Sequence, residues 1–145
     1  MATQLQYQTA TLTTPVITET LAPYEKSELI PRGQLLFREG EEPRGLYFLH
    51  SGQVDLLFAS RTGDTKTLRV AEAGQILGLS CIVSRRPHDC TATAKTQCTV
   101  GFIDRQTFQR LLEEKPGLWF TVLQLISADV NACWDCMRAL AGVAR

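Results

Sequence analysis

Between Ser27 and Ile103 the chain repeats one unit: a short apolar segment followed by a turn signal, spaced as the strands of small all-β domains are spaced. Segments this short cannot cover a core singly, so they must pair with one another. The expected fold class is mainly β with C-terminal α: an antiparallel β-barrel or double-stranded β-helix (jelly roll) over about residues 24–104. Candidate strands are Ser27–Ile30, Leu35–Phe37, Leu46–His50, Val54–Ala59, Thr67–Ala71, Ile76–Gly78, Cys90–Ala94 and Cys98–Ile103. Thr62-Gly63-Asp64 reads as a hairpin tip between two of them.

The period changes after Ile103. Asp104 suits the N-cap of a short helix, Arg105 to Glu114, whose Phe108, Leu111 and Leu112 share a face. Pro116 cannot sit inside a helix but suits the first turn of the next, which can run from Gly117 to about Leu140, roughly 36 Å. The helices thus fall at about 105–140. Trp119, Val122, Leu123, Ile126, Val130, Cys133, Met137 and Leu140 step by three and four along the second helix, the spacing of a helix–helix seam. A small barrel cannot cover so long a stripe, so part of it is expected to meet a second copy of the chain; the alternative is a helix folded back on its own barrel. Residues 1–22, rich in Thr and Gln and carrying Pro15, read as a flexible arm with one short element around Val16 to Leu21. Residues 23–145 are expected to form one domain.

A chain of 145 residues with 44% hydrophobic and 21% charged residues suits one soluble domain. Fifteen basic residues balance fifteen acidic ones, so no global field draws it to nucleic acid or to an anionic membrane. Neither a membrane-spanning run nor a signal peptide is evident, which implies a cytoplasmic protein. Five cysteines, an odd number without framework spacing, are expected as reduced thiols.

The densest signal lies in Ala71–Ile103. Gly74-Gln75-Ile76-Leu77-Gly78-Leu79-Ser80 is a glycine-punctuated turn; a polar loop, Ser84 to Asp89, and a strand-like return from Thr91 follow. The two glycines could turn amides near Gly78 and Leu79 toward an anion, although an ordinary turn reads the same way. Upstream stand Arg32-Gly33-Gln34-Leu35-Leu36-Phe37-Arg38-Glu39-Gly40-Glu41 and Gly45-Leu46-Tyr47-Phe48-Leu49-His50-Ser51-Gly52-Gln53-Val54. Together these motifs resemble the cyclic-nucleotide-binding domain of the Crp/Fnr regulators over roughly Tyr24 to Leu140. The resemblance implies a small effector held in the barrel and a long helix forming a two-fold dimer interface beside it. It also implies a helix-turn-helix DNA-binding domain after that helix; the chain stops at Arg145, so direct DNA binding by these residues is not expected. The family's longer helical lead-in has no counterpart here.

Members that bind cyclic AMP or cyclic GMP place a Glu after the loop glycine, for the ribose, and an Arg in an Arg-Ser/Thr-Ala triplet, for the phosphate. Here Leu79 follows Gly78, and the triplet reads Cys90-Thr91-Ala92. Charge-assisted hydrogen bonds contribute on the order of 1.5–3 kcal/mol each, so losing two weakens binding by roughly a hundredfold or more. A cyclic nucleotide is therefore a possible ligand without its anchors, and no cofactor is assured. The ligand-binding candidates are Gly78, Leu79, Ser80, Arg85, Arg86, Cys90, Thr91 and Ala92, with Arg85 and Arg86 either replacing the lost cation or simply solvated. The competing reading is a ligand-free dimerisation module whose pocket is filled by side chains such as Leu79.

Other chemistries fit less well. Cys133-Trp134-Asp135-Cys136 has redox spacing, which leaves a thiol sensor as a minor alternative, but it falls near a helix C-terminus, where the dipole raises a thiol pKa. No cysteine precedes Cys81, so the N-terminal iron–sulfur ligands of Fnr-type regulators have no counterpart. Cys81, Cys90, Cys98 and His88 could in principle form a metal site, although Cys98 falls on a strand that wants small apolar side chains. With only His50 and His88 the chain lacks the histidine cluster of a cupin enzyme, and it carries no nucleophile elbow or phosphate loop. The chain is not expected to be an enzyme.

Overall fold

The computed structural model describes residues 11–12, 15–59 and 62–127 of the chain. Its strands are β1 (Thr11–Leu12), β2 (Lys26–Ile30), β3 (Leu35–Phe37), β4 (Gly45–Ser51), β5 (Val54–Ala59), β6 (Thr65–Ala71), β7 (Gln75–Leu77), β8 (Thr91–Ala94) and β9 (Cys98–Asp104). Its helices are α1 (Pro15–Leu21), α2 (Leu79–Ser84), α3 (Arg105–Glu114) and α4, helical over 116–127. No described helix is long and apolar enough to cross a membrane.

The pairing is nested about the turn at Thr62 to Asp64. Strand β5 pairs with β6, β4 with β7, β3 with β8 and β2 with β9, all antiparallel. The chain is thus one long hairpin rolled up so that alternate pairs fall into opposite sheets. One sheet has the order β1-β7-β4-β9-β2 and the other β3-β8-β5-β6. The two sheets face each other as a jelly roll, the architecture expected from the strand spacing, without closing into a continuous barrel.

Side-chain alternation builds two cores. On β4, Tyr47 and Leu49 point between the sheets, where they meet Leu36, Phe37, Val54, Leu56, Ala92 and Val100. Their neighbours Leu46 and Phe48 point the other way and join Ile76, Ile103 and the helices. Both faces of β4 are therefore covered over most of its length, whereas β6 on the other sheet and β2 at the edge of this one are mostly exposed. Gly52 lets β4 turn tightly into β5: its φ is +92°, and a Cβ there would run into the Gln97 carbonyl and lie 2.8 Å from Cys98 Sγ.

The helices cap the outer core in the manner their sequences dictate. Asp104 caps α3, its Oδ1 accepting from the Thr107 amide at 2.8 Å, and that bond holds its carboxyl below the usual range. Phe108, Leu111 and Leu112 are buried as their spacing requires. On α4, Leu118, Val122 and Leu125 turn inward, while Trp119, Phe120 and Leu123 remain 39%, 66% and 51% exposed. Two readings change here. The short element read around Val16 to Leu21 is α1, but it is packed rather than part of a loose arm, because Ile17 and Leu21 are fully buried in the outer core. Residues 79–84, read as part of a turn and loop, form α2; six residues are too few to show a helical period.

Candidate functional site

The glycine-punctuated turn becomes a strand-to-helix corner. Gly78 ends β7 with φ +90°, a left-handed conformation that suits glycine, and stands as N-cap of α2. A Cβ on it would lie 3.4 Å from both the Gly45 carbonyl and His88 Cε1, so the corner is also closely packed. The next residue settles the direction of the helix. Leu79 is 2% exposed and belongs to the outer core with Ile17, Phe48 and Ile82, so it does not fill the space between the sheets.

The far end of α2 is closed by the two arginines. The Arg86 amide donates to the Cys81 carbonyl and the Arg85 amide to the Ile82 carbonyl, with Arg85 left-handed at φ +57°, the paired bonds of a Schellman cap. Both side chains are exposed. Arg86 Nε donates to the Ser84 hydroxyl at 2.9 Å, and that hydroxyl donates to the Ser80 carbonyl at 2.7 Å. The Arg-Arg pair therefore serves the helix end.

Beyond the arginines the chain re-enters the core. His88 is buried and stacks on Phe37, with ring centroids 3.8 Å apart and planes 12° apart. Its amide donates to the Glu41 carbonyl, and its own carbonyl accepts from the Gly40 amide, so the loop is fastened to the turn at residues 38–41. Burial holds the imidazole below its usual pKa, against the opposing pull of Asp89, Glu41 and Glu42. The Thr91 hydroxyl accepts from the Glu39 amide at 2.9 Å, which ties the same turn to β8.

Cys90 and Ala92 face the space between the sheets. Burial pushes the Cys90 thiol up to about 12, with the Asp89 and Glu39 carboxylates adding to the effect and the Arg69 guanidinium opposing it. Where the resemblance expects an arginine the chain therefore holds a neutral, apolar thiol. Tyr47 lies on the same inner face, donates to the Leu36 carbonyl at 3.1 Å, and sits 5.0 Å from the Phe102 ring.

The ligand candidates are thus divided between two cores and the surface. Gly78 and Ser80 lie at the corner, Cys90 and Ala92 are in the inner core with Thr91 half-buried between them on the chain, Leu79 goes to the outer core, and Arg85 and Arg86 go to solvent. The conceivable metal set does not assemble among the described residues. His88 is stacked on Phe37, whereas the Cys98 thiol lies against the Gln53 and Thr96 carbonyls at the other end of the strands. Of the helical seam, Trp119 and Leu123 are exposed, Val122 is buried in its own domain and Ile126 packs partly against it. Val130, Cys133, Cys136 and Met137 lie outside the described residues. A cavity of about 210 Å³ is lined by Thr18, Phe48, Leu49 and His50 and by Gly74 and Gln75 at the start of the glycine-punctuated turn.

Two placements near the corner are not read from the sequence: there His88 stands out only as a conceivable metal ligand, and nothing singles out Arg69. His88 is polar and lies in a loop, so only its burial against Phe37 reveals it. Arg69 stands opposite Leu56, which in turn stands opposite Ala92, so all three belong to one row on the inner face. Its place depends on strand register, and a slip of one residue would turn it outward.

The cyclic nucleotide-binding domain model matches residues 28–115. The fumarate and nitrate reduction regulatory protein of Yersinia pestis is 28% identical over 116 residues, covering 80% of this chain and 46% of that protein. A cAMP-dependent protein kinase regulatory subunit of Eremothecium gossypii is 29% identical over 87 residues, covering 60% of this chain and 18% of that protein. The chain therefore spans about half the length of the first relative and about a fifth of the second. Among solved structures, the Thermus thermophilus catabolite activator protein superposes with a TM-score of 0.77 at 20% identity, over 88% of this chain and 60% of that one. With the family model matching most of the chain and the jelly roll superposing on that of the activator protein, this chain belongs to the cyclic nucleotide-binding domain family, as a domain of the Crp/Fnr type.

Proposed function

We propose that this domain is the sensor part of a Crp/Fnr-type regulator. A small effector enters between the sheets near the Gly78–Ala92 corner and shifts α4, and a second copy paired along α4 passes the shift to an output module or partner. One observation carries the reading: the family's frame stands intact around the corner, but Leu79 and Cys90 replace the two residues expected to anchor a cyclic nucleotide, and neither carries charge. Cyclic AMP is accordingly not its tight ligand. The relatives are named as regulators and a regulatory subunit, and no catalytic step is assigned.

The pairing is supported by the exposed apolar side chains of Trp119, Phe120 and Leu123 at the start of α4. Sedimentation velocity at tens of micromolar is expected to give a dimer for the full chain and a monomer for Leu123→Asp. Because Leu123 is exposed, the substitution should change the stability of the fold itself by no more than about 0.5 kcal/mol. A monomeric wild type at that concentration contradicts the pairing.

The second reading, a ligand-free dimerisation module, draws on the close filling of the inner core by Phe37, Tyr47, Leu49 and Cys90. Under it the domain binds no effector at all. A full chain that answers to no anionic or nucleotide ligand would favour it.

A further inference from the structure

We propose that His88 is an acid-released latch: on taking up a proton its imidazole leaves Phe37, and the loop at residues 85–89 lifts from the turn at residues 38–41. The latch is a property of the fold and stands whether or not an effector enters between the sheets. Among the described residues no other buried side chain changes charge near neutral pH. The second histidine, His50, is exposed on β4 and faces Glu25 at 2.7 Å.

The ring is the packed end of a short clamp. His88 is 4% exposed, and its imidazole lies nearly parallel to the Phe37 ring of β3, with centroids 3.8 Å and planes 12° apart. Its Cε1 faces Gly78, where an added Cβ would touch it at 3.4 Å. Backbone bonds stand at the base of the clamp: the His88 amide donates to the Glu41 carbonyl at 2.9 Å, and the His88 carbonyl accepts from the Gly40 amide at 2.8 Å. Three residues on, the Thr91 hydroxyl accepts from the Glu39 amide at 2.9 Å. One short stretch of loop thus closes over β3 and the end of β7 together.

A proton works against this arrangement. Among the described residues the ring nitrogens have no hydrogen-bond partner, so an added charge is buried without compensation. The charged groups that act on the ring are carboxylates: Asp89 beside it on the loop, and Glu41 and Glu42 on the facing turn. Phe37 and Gly78 do not titrate, and Arg85 and Arg86, earlier in the loop, are exposed. All three carboxylates favour an imidazolium, but burial outweighs them and holds the ring below its ordinary 6.5. They are themselves exposed, so a charged ring reaches them by turning outward. The folded state therefore favours the neutral ring. That contribution is fully present above 6.5 and is lost as pH falls from there toward the lower folded value.

Nuclear magnetic resonance of the full chain tests the latch, with His50→Gln assigning the two imidazoles. Ring titration is followed together with amide hydrogen exchange, expressed as protection relative to an unstructured chain, from pH 7 to pH 5. The amides of Gly40 and His88 are expected to lose protection roughly fivefold or more over that range, while amides of the β4–β9 ladder keep theirs. In His88→Phe, which keeps an aromatic ring but takes up no proton, the amides at positions 40 and 88 are expected to stay protected. A His88 ring that titrates at or above 6.5, unchanged protection in wild type, a loss shared equally by the ladder, or an equal loss in His88→Phe each overturns the latch. Should His88→Phe fail to fold, the wild type alone decides, by whether Gly40 and His88 lose protection before the ladder does.

Discussion

Leu79→Glu is expected to lower the free energy of unfolding by about 3–5 kcal/mol and to leave cyclic nucleotide affinity no higher than in wild type. The substitution restores the residue type that nucleotide-binding relatives are expected to carry after the loop glycine, so on sequence grounds alone it would look like a repair. The structure assigns the opposite outcome. Leu79 is 2% exposed and packs with Ile17, Phe48 and Ile82 on the outer side of the first sheet. A carboxylate there loses the apolar contacts of the leucine and is left buried without a cation, and the group answers by binding a proton. Urea unfolding monitored by fluorescence measures the loss, and calorimetry with cyclic AMP measures the affinity. A stable variant that bound the nucleotide more tightly would show that position 79 can face the lumen.

The second large effect is alkaline. Cys90 ionises only at about 12 in the folded chain, because burial opposes the thiolate, against 9.0 as its ordinary value. The folded state therefore favours the neutral thiol, and this contribution is fully present below about pH 9. As pH rises, the unfolded chain releases the proton while the folded chain keeps it, so stability falls through the window from 9 to about 12. Three pH units correspond to roughly 4 kcal/mol at the upper end. Burial raises the Tyr47 phenol too, in the same direction, so wild type alone does not isolate the thiol. The difference between wild type and Cys90→Ala does: stability against pH is expected to fall more steeply for wild type between pH 9 and 11. Parallel curves would mean that Cys90 is solvated in the folded chain.

These effects also mark what could be read from the residues. The strands were legible because a jelly roll is written in its turns: each apolar segment between Ser27 and Ile103 falls on or within a residue or two of a strand. The tip at Thr62 to Asp64 proved to be the centre about which the strand pairs nest. Asp104 announced α3 because an N-cap acts locally, through its own side chain and the amide three residues on. What could not be read depends on long-range placement. Steps of three and four mark Trp119, Val122, Leu123 and Ile126 as one stripe, yet Val122 turns to its own core while Trp119 and Leu123 face out. Spacing gives the stripe but not the partner of each part. Leu79 shows the same limit: its apolarity said that it would be buried, and only the left-handed turn at Gly78 decided on which side. Arg69 is the converse, a charged residue on a mostly exposed strand that register alone directs inward.

The central claim is that the frame of a cyclic nucleotide-binding domain is kept here while the charges that anchor the nucleotide are not. Isothermal titration of cyclic AMP into the full chain tests it directly. The expected result is no saturable heat through the micromolar range. A dissociation constant in the low micromolar range would contradict the account: backbone amides or arginines would then supply what Leu79 and Cys90 lack, and the site as described here would be wrong.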